Sequence, residues 1–273
     1  MASVKTAASR NSPLGELLRS WREARRVSQL ELALKANLSA RHLSYVETGK
    51  AQASREMLCR LADVLEMPLR ERNALLLAGG YAPQYPENLL TTPALEWMRQ
   101  AIDLIITHQE PYPAFVLDRH WNVLATNQAA VRINQLLMQG SQSKHTNILH
   151  QVFDPEDIRS VIVNWPEVAE RFIRHLHDDI AAVPSDETAR ELLHQMLQYP
   201  DVPEHWRFRD LQRALPPVFT FVFRSSEGEL RFFETVTTFS VPRDVTLAEI
   251  RIDSAFPADA HTAAVCAKLA AAN

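Results

Sequence analysis

Three side chains near residue 40 have types and spacing that suit contacts with a nucleic acid. Arg41, Ser44 and Tyr45 stand at positions i, i+3 and i+4, so a helix places them on one face. An arginine on such a face can donate two hydrogen bonds to a guanine in the major groove, and a serine can contact several bases. A helix that carries this face can therefore read a DNA sequence.

Neighbouring residues extend this interpretation. Ser39 and Ala40 begin the same helix, and the methyl group of Ala40 can touch the methyl group of a thymine. Gln29 begins the preceding helix, where its side chain and backbone N–H can hold a phosphate. Lys50 and Arg55 follow the helix, where contacts to the DNA backbone accumulate. The predicted DNA-binding residues are Gln29, Ser39, Ala40, Arg41, Ser44, Tyr45, Lys50 and Arg55.

Three of these residues have a second interpretation. Arg41 alternatively contacts a phosphate or only solvent. Tyr45 alternatively packs its ring on the surface of its own domain, and Arg55 is alternatively an uninvolved surface charge.

The elements that must position these residues begin with two serine caps. Ser28, with Glu31 three residues later, has the spacing of a capping box at the start of a helix. The segment breaks at Asn37 and Leu38, and Ser39 caps a second, short helix that Gly49 ends. Two helices joined by so short a turn are typical of a helix-turn-helix motif. Further apolar periodicity predicts five helices and an all-α domain over residues 13–80.

This region resembles the XRE family of helix-turn-helix domains, which are lambda-repressor-like and Cro-like. The resemblance covers residues 14–78, above all SQLELALKANLSARHLSYVETGK at 28–50 and SREMLCRLADVLEM at 54–67. It implies DNA binding, and it implies that Arg22 and Glu47 form an internal, structural ion pair. The alternative is a five-helix interaction module that does not touch DNA.

The second half of the chain changes character. Residues 81–92 predict a linker, and residues 93–256 predict an α+β domain. Short apolar runs and a hairpin signal predict about five strands in an antiparallel sheet. The predicted strands lie at 114–118, 121–125, 218–224, 229–239 and 247–252, and the predicted helices after residue 120 lie at 127–139, 166–181, 185–198 and 205–213.

A second resemblance covers this half. The segments PLRERNALLLAGGYAP at 68–83 and PAFVLDRHWNVLATNQAA at 113–130 resemble MmyB-like transcription regulators. The resemblance implies a PAS-like α+β sensor domain with an apolar pocket for a fatty-acid-like or other small hydrophobic ligand. It is clear to about residue 180 and weaker after residue 215.

Five residues are candidates for that pocket. Phe115, Trp121 and Phe221 suit its walls, although each is alternatively an ordinary core residue. Arg132 can clamp a carboxylate or, alternatively, lie on the surface. Asn127 is either a polar pocket group or the N-cap of a helix.

Charge, cysteine content and the length of apolar runs exclude several classes of protein. The formal net charge of -4 combines +5 over residues 1–80 with -9 over the rest, which indicates a basic segment for an anionic partner and an acidic body. Two cysteines cannot form a disulfide framework, and no run of apolar residues is long enough to cross a membrane. We therefore expect a cytoplasmic protein.

The sequence also lacks familiar catalytic patterns. No zinc-peptidase motif, nucleophile elbow or Walker loop is present, and His175, His177, Asp178 and Asp179 do not share one helical face. We expect no enzyme activity, no metal site and no cofactor. The predicted protein is a homodimer on double-stranded DNA, with recognition helices about 34 Å apart. The alternatives are an enzyme tethered to DNA and a second domain that binds a protein partner without any ligand.

Overall fold

The computed structural model describes residues 12–208 and 218–272, which divide into two compact units. The first unit contains the described residues up to Pro86, with Ala181–Ser185 and Arg243–Val245. The second contains Glu87–Ile180, Asp186–Pro242 and the described residues from Thr246 onward.

The first unit consists of five helices, as the sequence predicts. Four of them begin at serine N-caps, because the hydroxyls of Ser12, Ser28, Ser39 and Ser54 accept hydrogen bonds from the backbone N–H three residues later. These local signals explain why the helix starts could be read from the sequence. The helices are α1 (Pro13–Ala24), α2 (Gln29–Lys35), α3 (Ala40–Glu47), α4 (Arg55–Val64) and α5 (Leu69–Ala78).

A single apolar core holds these helices together. Leu18 and Trp21 of α1 are fully buried against residues of the other helices, among them Leu43 of α3 and Leu58 of α4. The backbones of α1 and α3 approach closely at Gly15, where an added Cβ atom would lie 2.1 Å from the carbonyl oxygen of Glu47. Only glycine fits at this crossing.

The second unit is built on a five-stranded antiparallel sheet with the strand order β2-β1-β5-β4-β3. This α+β arrangement is the PAS-like fold class that the sequence predicts. The strands are β1 (Ala114–Leu117), β2 (Val123–Thr126), β3 (Thr220–Ser225), β4 (Gly228–Thr237) and β5 (Arg251–Pro257).

The last predicted strand is wrong in part. Residues 247–249 belong to a short helix, and the strand runs from Arg251 to Pro257 instead of ending at Ile252. A short apolar run does not distinguish a strand from a buried helix, and the polar pair Asp253 and Ser254 hides the continuation of a buried strand.

Helices cover both faces of the sheet. Ile102 and Ile106 of α6 pack on one face, against Val116 and Ile252. Helices α7 to α9 and α12 contribute to the apolar clusters that include Phe221 and Phe232 on the other face. The helices are α6 (Glu96–His108), α7 (Gln128–Leu137), α8 (Ile148–Phe153), α9 (Trp165–Ala182), α10 (Glu187–Met196), α11 (Val245–Glu249) and α12 (Ala260–Ala271).

Shorter 3-10 helices occupy Pro93–Leu95, Ile158–Val161 and Glu204–Arg207. The last of these stands at the start of the predicted helix at 205–213, most of which lies outside the described residues. Within the described ranges, no helix combines the length and the apolar character needed to cross a membrane.

The close approach at Gly15 gives a test of the first unit. We expect Gly15→Ala to lower the free energy of unfolding by about 1–3 kcal/mol, because the new methyl group meets backbone that cannot move aside. Calorimetric unfolding of the full chain measures this. The control is Gly79→Ala, whose Cβ atom meets the end of the Leu58 side chain and should cost less. Equal unfolding temperatures for the two variants would contradict the packing of α1 on α3.

Candidate nucleic-acid interface and ligand cavity

Helices α2 and α3 form a helix-turn-helix motif whose inner faces are buried. Leu32 of α2 and Leu43 and Val46 of α3 are fully buried in the core of the first unit. The turn between the helices passes through Asn37, which has a φ of 55°. Asparagine tolerates this left-handed conformation better than most residues. The core therefore fixes which side of α3 is left for solvent.

The exposed side of α3 carries Arg41, His42 and Tyr45. The Nε atom of Arg41 donates a hydrogen bond to the Tyr45 hydroxyl at 3.2 Å, and the guanidinium carbon lies 5.4 Å from the centre of the Tyr45 ring. This cation–π contact holds the arginine along the helix surface. His42 was not predicted from the sequence as a contact residue, although it shares the exposed side.

The other predicted contact residues have mixed surroundings. The hydroxyl of Ser39 accepts a hydrogen bond from the N–H of His42, so it caps α3. Ala40 packs partly against the core, and Ser44 is half-buried. Lys50 and Arg55, which follow α3, are exposed. The exposed cations among the predicted contact residues thus lie on α3 and just after it.

Glu47, at the end of α3, is bound by two other helices. Its carboxylate accepts hydrogen bonds from the Nε atom of Arg22 at 2.9 Å and from the Nε2 atom of Gln29 at 3.0 Å. A second contact joins Arg22 Nη2 to the other Glu47 oxygen at 3.3 Å, and Arg22 Nη1 donates to the carbonyl of Val27. Glu47 is 2% exposed, so the structure contains the internal ion pair that the resemblance implies. The side chain of Gln29 is used in this network. Of the two groups that the sequence analysis offered for a phosphate contact, its backbone N–H remains, at the start of α2.

The second unit contains an apolar cavity of about 110 Å³ between the sheet and its covering helices. Phe115, Trp121 and Phe221, three of the five predicted pocket residues, line it. The other lining residues come from β1, β3, β4, β5, α7, α8, α9 and the segments between them: Pro113, Leu117, Ala130, Ile133, Asn134, Leu137, Ile148, Gln151, Val152, Ile158, Ile162, Phe172, Phe223, Phe232, Glu234, Asp253 and Ala255.

The remaining two predicted pocket residues lie elsewhere and are corrected here. Asn127 is buried as the N-cap of α7, where its oxygen accepts hydrogen bonds from the N–H groups of Ala114 and Ala130. Arg132 forms an ion pair with Glu110. Both line a separate surface hollow and not the cavity. The N-cap role of Asn127 is one of the two alternatives that the sequence offers. The partner of Arg132 is 22 residues away, so no local sequence signal indicates it.

Trp121 reaches the cavity from a strained turn. Its φ is 70°, which is rare for a bulky residue and has an energetic cost. Asp118 holds the turn, because its side chain accepts hydrogen bonds from the N–H groups of His120 and Asn122, and its carbonyl accepts one from Trp121. The guanidinium of Arg251 lies 3.3 Å from the centre of the indole.

Two acids line a cavity that is otherwise mostly apolar, and the sequence analysis missed both. Asp253 is 7% exposed, and Glu234 is partly buried on the neighbouring strand. Desolvation raises the pKa of Asp253, and desolvation together with the nearby Asp253 carboxylate raises the pKa of Glu234 to about 7. Period-two alternation along β5 and β4 was the only available signal for them.

The histidine and aspartate cluster of α9 contains two groups with shifted pKa values. Desolvation lowers the pKa of His175 to about 4 and raises that of Asp179 to about 6, and both groups feel the charge of Arg251, although 47% and 36% of the two side chains stay exposed. Among the described residues, no group of three or more histidine, cysteine, aspartate and glutamate side chains could hold a metal ion.

Comparisons with known proteins find two family models, one in each half of the chain. A family model of the MmyB-like transcription regulator ligand binding domain matches residues 98–269, and a model of a helix-turn-helix domain matches residues 13–75. No curated protein matches the chain.

One similar solved structure is described as that of an RNA-binding Light-Oxygen-Voltage Receptor. It is 14% identical over 97% of this chain, with a TM-score of 0.25, and this chain spans 64% of its length.

The buried network around Glu47 gives a stability test. We expect Arg22→Ala to lower the free energy of unfolding by about 3–5 kcal/mol, since it leaves the Glu47 carboxylate buried without its cation. Lys35→Ala removes the cation of the exposed Glu31–Lys35 pair and should have little effect. Urea unfolding followed by circular dichroism compares the two. Similar losses for both variants would show that the Glu47 network is not structural.

Proposed function

The chain belongs to the MmyB-like transcription regulators, and on this premise we propose that it binds a specific DNA sequence and responds to a small hydrophobic ligand. The observation that carries the proposal is the polar, exposed side of α3, which the buried Glu47 network supports from behind. We propose that the protein acts in the cytoplasm.

The proposed DNA contacts combine base reading and backbone positioning. Arg41 is exposed and its side chain is long enough to reach a guanine, and the exposed His42 and Tyr45 lie beside it. Lys50 and Arg55 supply positive charge for phosphates. Gln29 is the first residue of α2, where a backbone N–H has no acceptor within the helix, so this group suits a phosphate as well. The acidic second unit should repel DNA, which favours binding through the first unit alone.

The proposed ligand site is the cavity of the second unit. Phe115, Trp121 and Phe221 supply apolar walls on the sheet side, and Ile133 and Phe172 supply them on the helix side. Such a surface suits the hydrocarbon part of a ligand. A fatty-acid-like molecule is the ligand that the family resemblance implies. The alternative, a protein-interaction domain without a ligand, predicts that no small molecule enters the cavity.

We further propose that the regulator is a homodimer. Two recognition helices about 34 Å apart would enter successive major grooves on one side of the DNA, which calls for a two-fold symmetric operator. A ligand changes this binding only if it has different affinities for the DNA-binding and non-binding states of the protein.

Arg41 provides the sharpest test of DNA binding. We expect Arg41→Ala to cost about 1–3 kcal/mol of binding free energy on the preferred sequence and to relax the preference at one base position. Selection of binding sites from a random DNA pool, followed by fluorescence anisotropy at several salt concentrations, measures both. Arg55→Ala should instead weaken binding to all sequences about equally and reduce the salt dependence.

Arg207→Ala is the matched control, since this exposed arginine lies in the acidic second unit and should leave DNA binding unchanged. The proposed interface would be wrong if Arg41→Ala and Arg55→Ala left the DNA affinity unchanged and Arg207→Ala lowered it.

A further inference from the structure

Four amide and carboxyl side chains among the described residues line the cavity, and two of them are already engaged. The Nε2 atom of Gln151 donates a hydrogen bond to the carbonyl of His145 at 2.7 Å. The Oδ1 atom of Asp253 is buried beside Arg251, so a ligand does not reach this oxygen. The other two side chains are those of Asn134 and Glu234.

Asn134 and Glu234 are available to a ligand. Within the described parts of the chain, neither side chain forms a hydrogen bond, and both are only half-buried. The amide of Asn134 can donate two N–H groups, and a carboxyl group such as that of Glu234 is a donor only while it is protonated. Polar groups that line an apolar cavity without partners favour a ligand with a complementary polar end.

The packing brings these two side chains to the cavity from the helix side and from the sheet side. Asn134 lies on α7, and the adjacent Ile133 packs in one apolar cluster with Phe232 of β4. Glu234 follows Phe232 by two residues on the same strand, so both side chains lie on the same face of the sheet. Helix α7 therefore offers an amide, and strand β4 a carboxyl group, to one cavity.

The surroundings of Glu234 let it keep its proton up to about neutral pH. Desolvation and the carboxylate of Asp253 on β5 raise its pKa to about 7, and the charges of Arg171 on α9 and Arg251 on β5 lower it less. The guanidinium of Arg251 lies on the Trp121 ring, and neither arginine belongs to the described lining of the cavity. The protonated carboxyl group of Glu234 is thus a donor that a ligand can use.

We propose that the cavity binds a carboxylic acid together with one proton, so that the O–H of Glu234 and an N–H of Asn134 donate hydrogen bonds to the ligand carboxylate. A carboxylate is an acceptor only, and both groups meet it as donors. The inference rests on the proposed ligand-binding function of this cavity and adds polar contacts for a fatty-acid-like molecule. The volume of about 110 Å³ suits a short hydrocarbon chain; a cavity of about 150 Å³ in another protein holds benzene.

Binding of this kind has a defined dependence on pH. Below about pH 7, Glu234 already holds its proton, and a carboxylate ligand binds without taking up another. Above about pH 7, the ionised Glu234 must regain a proton when the ligand binds, so the affinity falls about tenfold for each pH unit. A neutral ligand with the same hydrocarbon chain needs no proton.

The experiment compares hexanoate with hexanol by isothermal titration calorimetry on the full chain. We expect hexanoate to bind at about pH 6 and to weaken about tenfold per unit above about pH 7, whereas the affinity for hexanol changes little. Titrations at about pH 8 in buffers of different ionisation enthalpy count the protons, and we expect about one proton taken up per hexanoate.

Two variants separate a ligand contact from a merely structural role. The amide of Glu234→Gln donates at every pH, so this variant should bind hexanoate equally well at about pH 6 and about pH 8 and take up no proton. Asn134→Asp replaces a donor by a negative charge of the same shape. It should weaken hexanoate at least about tenfold and hexanol much less. Circular dichroism checks that both variants fold.

Two controls test the location. Glu229→Gln removes an exposed acid from the same strand as Glu234, one that pairs with Arg231, and should leave the pH dependence unchanged. Ala255→Val fills the cavity from the sheet and should weaken both ligands.

The outcomes distinguish the inference from the proposed function. If hexanoate binds without proton uptake, if Glu234→Gln keeps the pH dependence, or if only hexanol binds, the proton-linked carboxylate contact is wrong and the ligand site stands. If neither ligand binds at about pH 6, where Glu234 is protonated, or if Ala255→Val affects neither, the cavity is not the ligand site and both proposals fall.

Discussion

The carboxylate of Glu47 is 2% exposed, and the helices of the first unit are placed so that it receives hydrogen bonds from two of them. Taking such a group out of water is costly unless charge and hydrogen bonds replace the water. Arg22 from α1 and Gln29 from α2 supply them, so one acid fixes three helices. Gly15 allows α1 to approach the backbone of Glu47 closely. The exposed side of α3 is therefore carried by a helix whose end is held by a buried, hydrogen-bonded carboxylate, which suits a surface proposed to read DNA.

The second unit meets the same constraint differently. Asp253 is also removed from water, but its buried Oδ1 atom has no hydrogen-bond partner among the described residues, and the Nε atom of Arg251 lies 3.4 Å away. A hydrogen-bonded buried acid fixes its surroundings, whereas a buried oxygen without a hydrogen bond has an energetic cost. The two units thus place the same chemical group in opposite states, one hydrogen-bonded and the other only partly so.

Much of this could be predicted from the sequence because its signals are local. Serine caps, the Asn37 turn and apolar periodicity specify the helices of the first unit within a few residues of each feature. The acids of the cavity could not be found this way, since Asp253 looks like the polar end of a strand until β1 and β4 flank it. For the same reason the prediction ends this strand too early, and neither interpretation of Arg132, a carboxylate clamp or a surface residue, includes its partner Glu110 on a distant segment.

Trp121 combines a left-handed backbone with a bulky side chain, and the two are in conflict. Glycine or asparagine would adopt a φ of 70° at lower cost, so the backbone alone argues against the largest of all side chains. The indole nevertheless forms part of the cavity wall and supports the guanidinium of Arg251. Main chain and side chain make opposite demands at this residue, and the side chain prevails. Exchange for glycine would relieve the backbone strain of the turn, but it would also remove part of the cavity wall. At the tip of this hairpin, a gain in the stability of the fold is therefore a loss for the cavity.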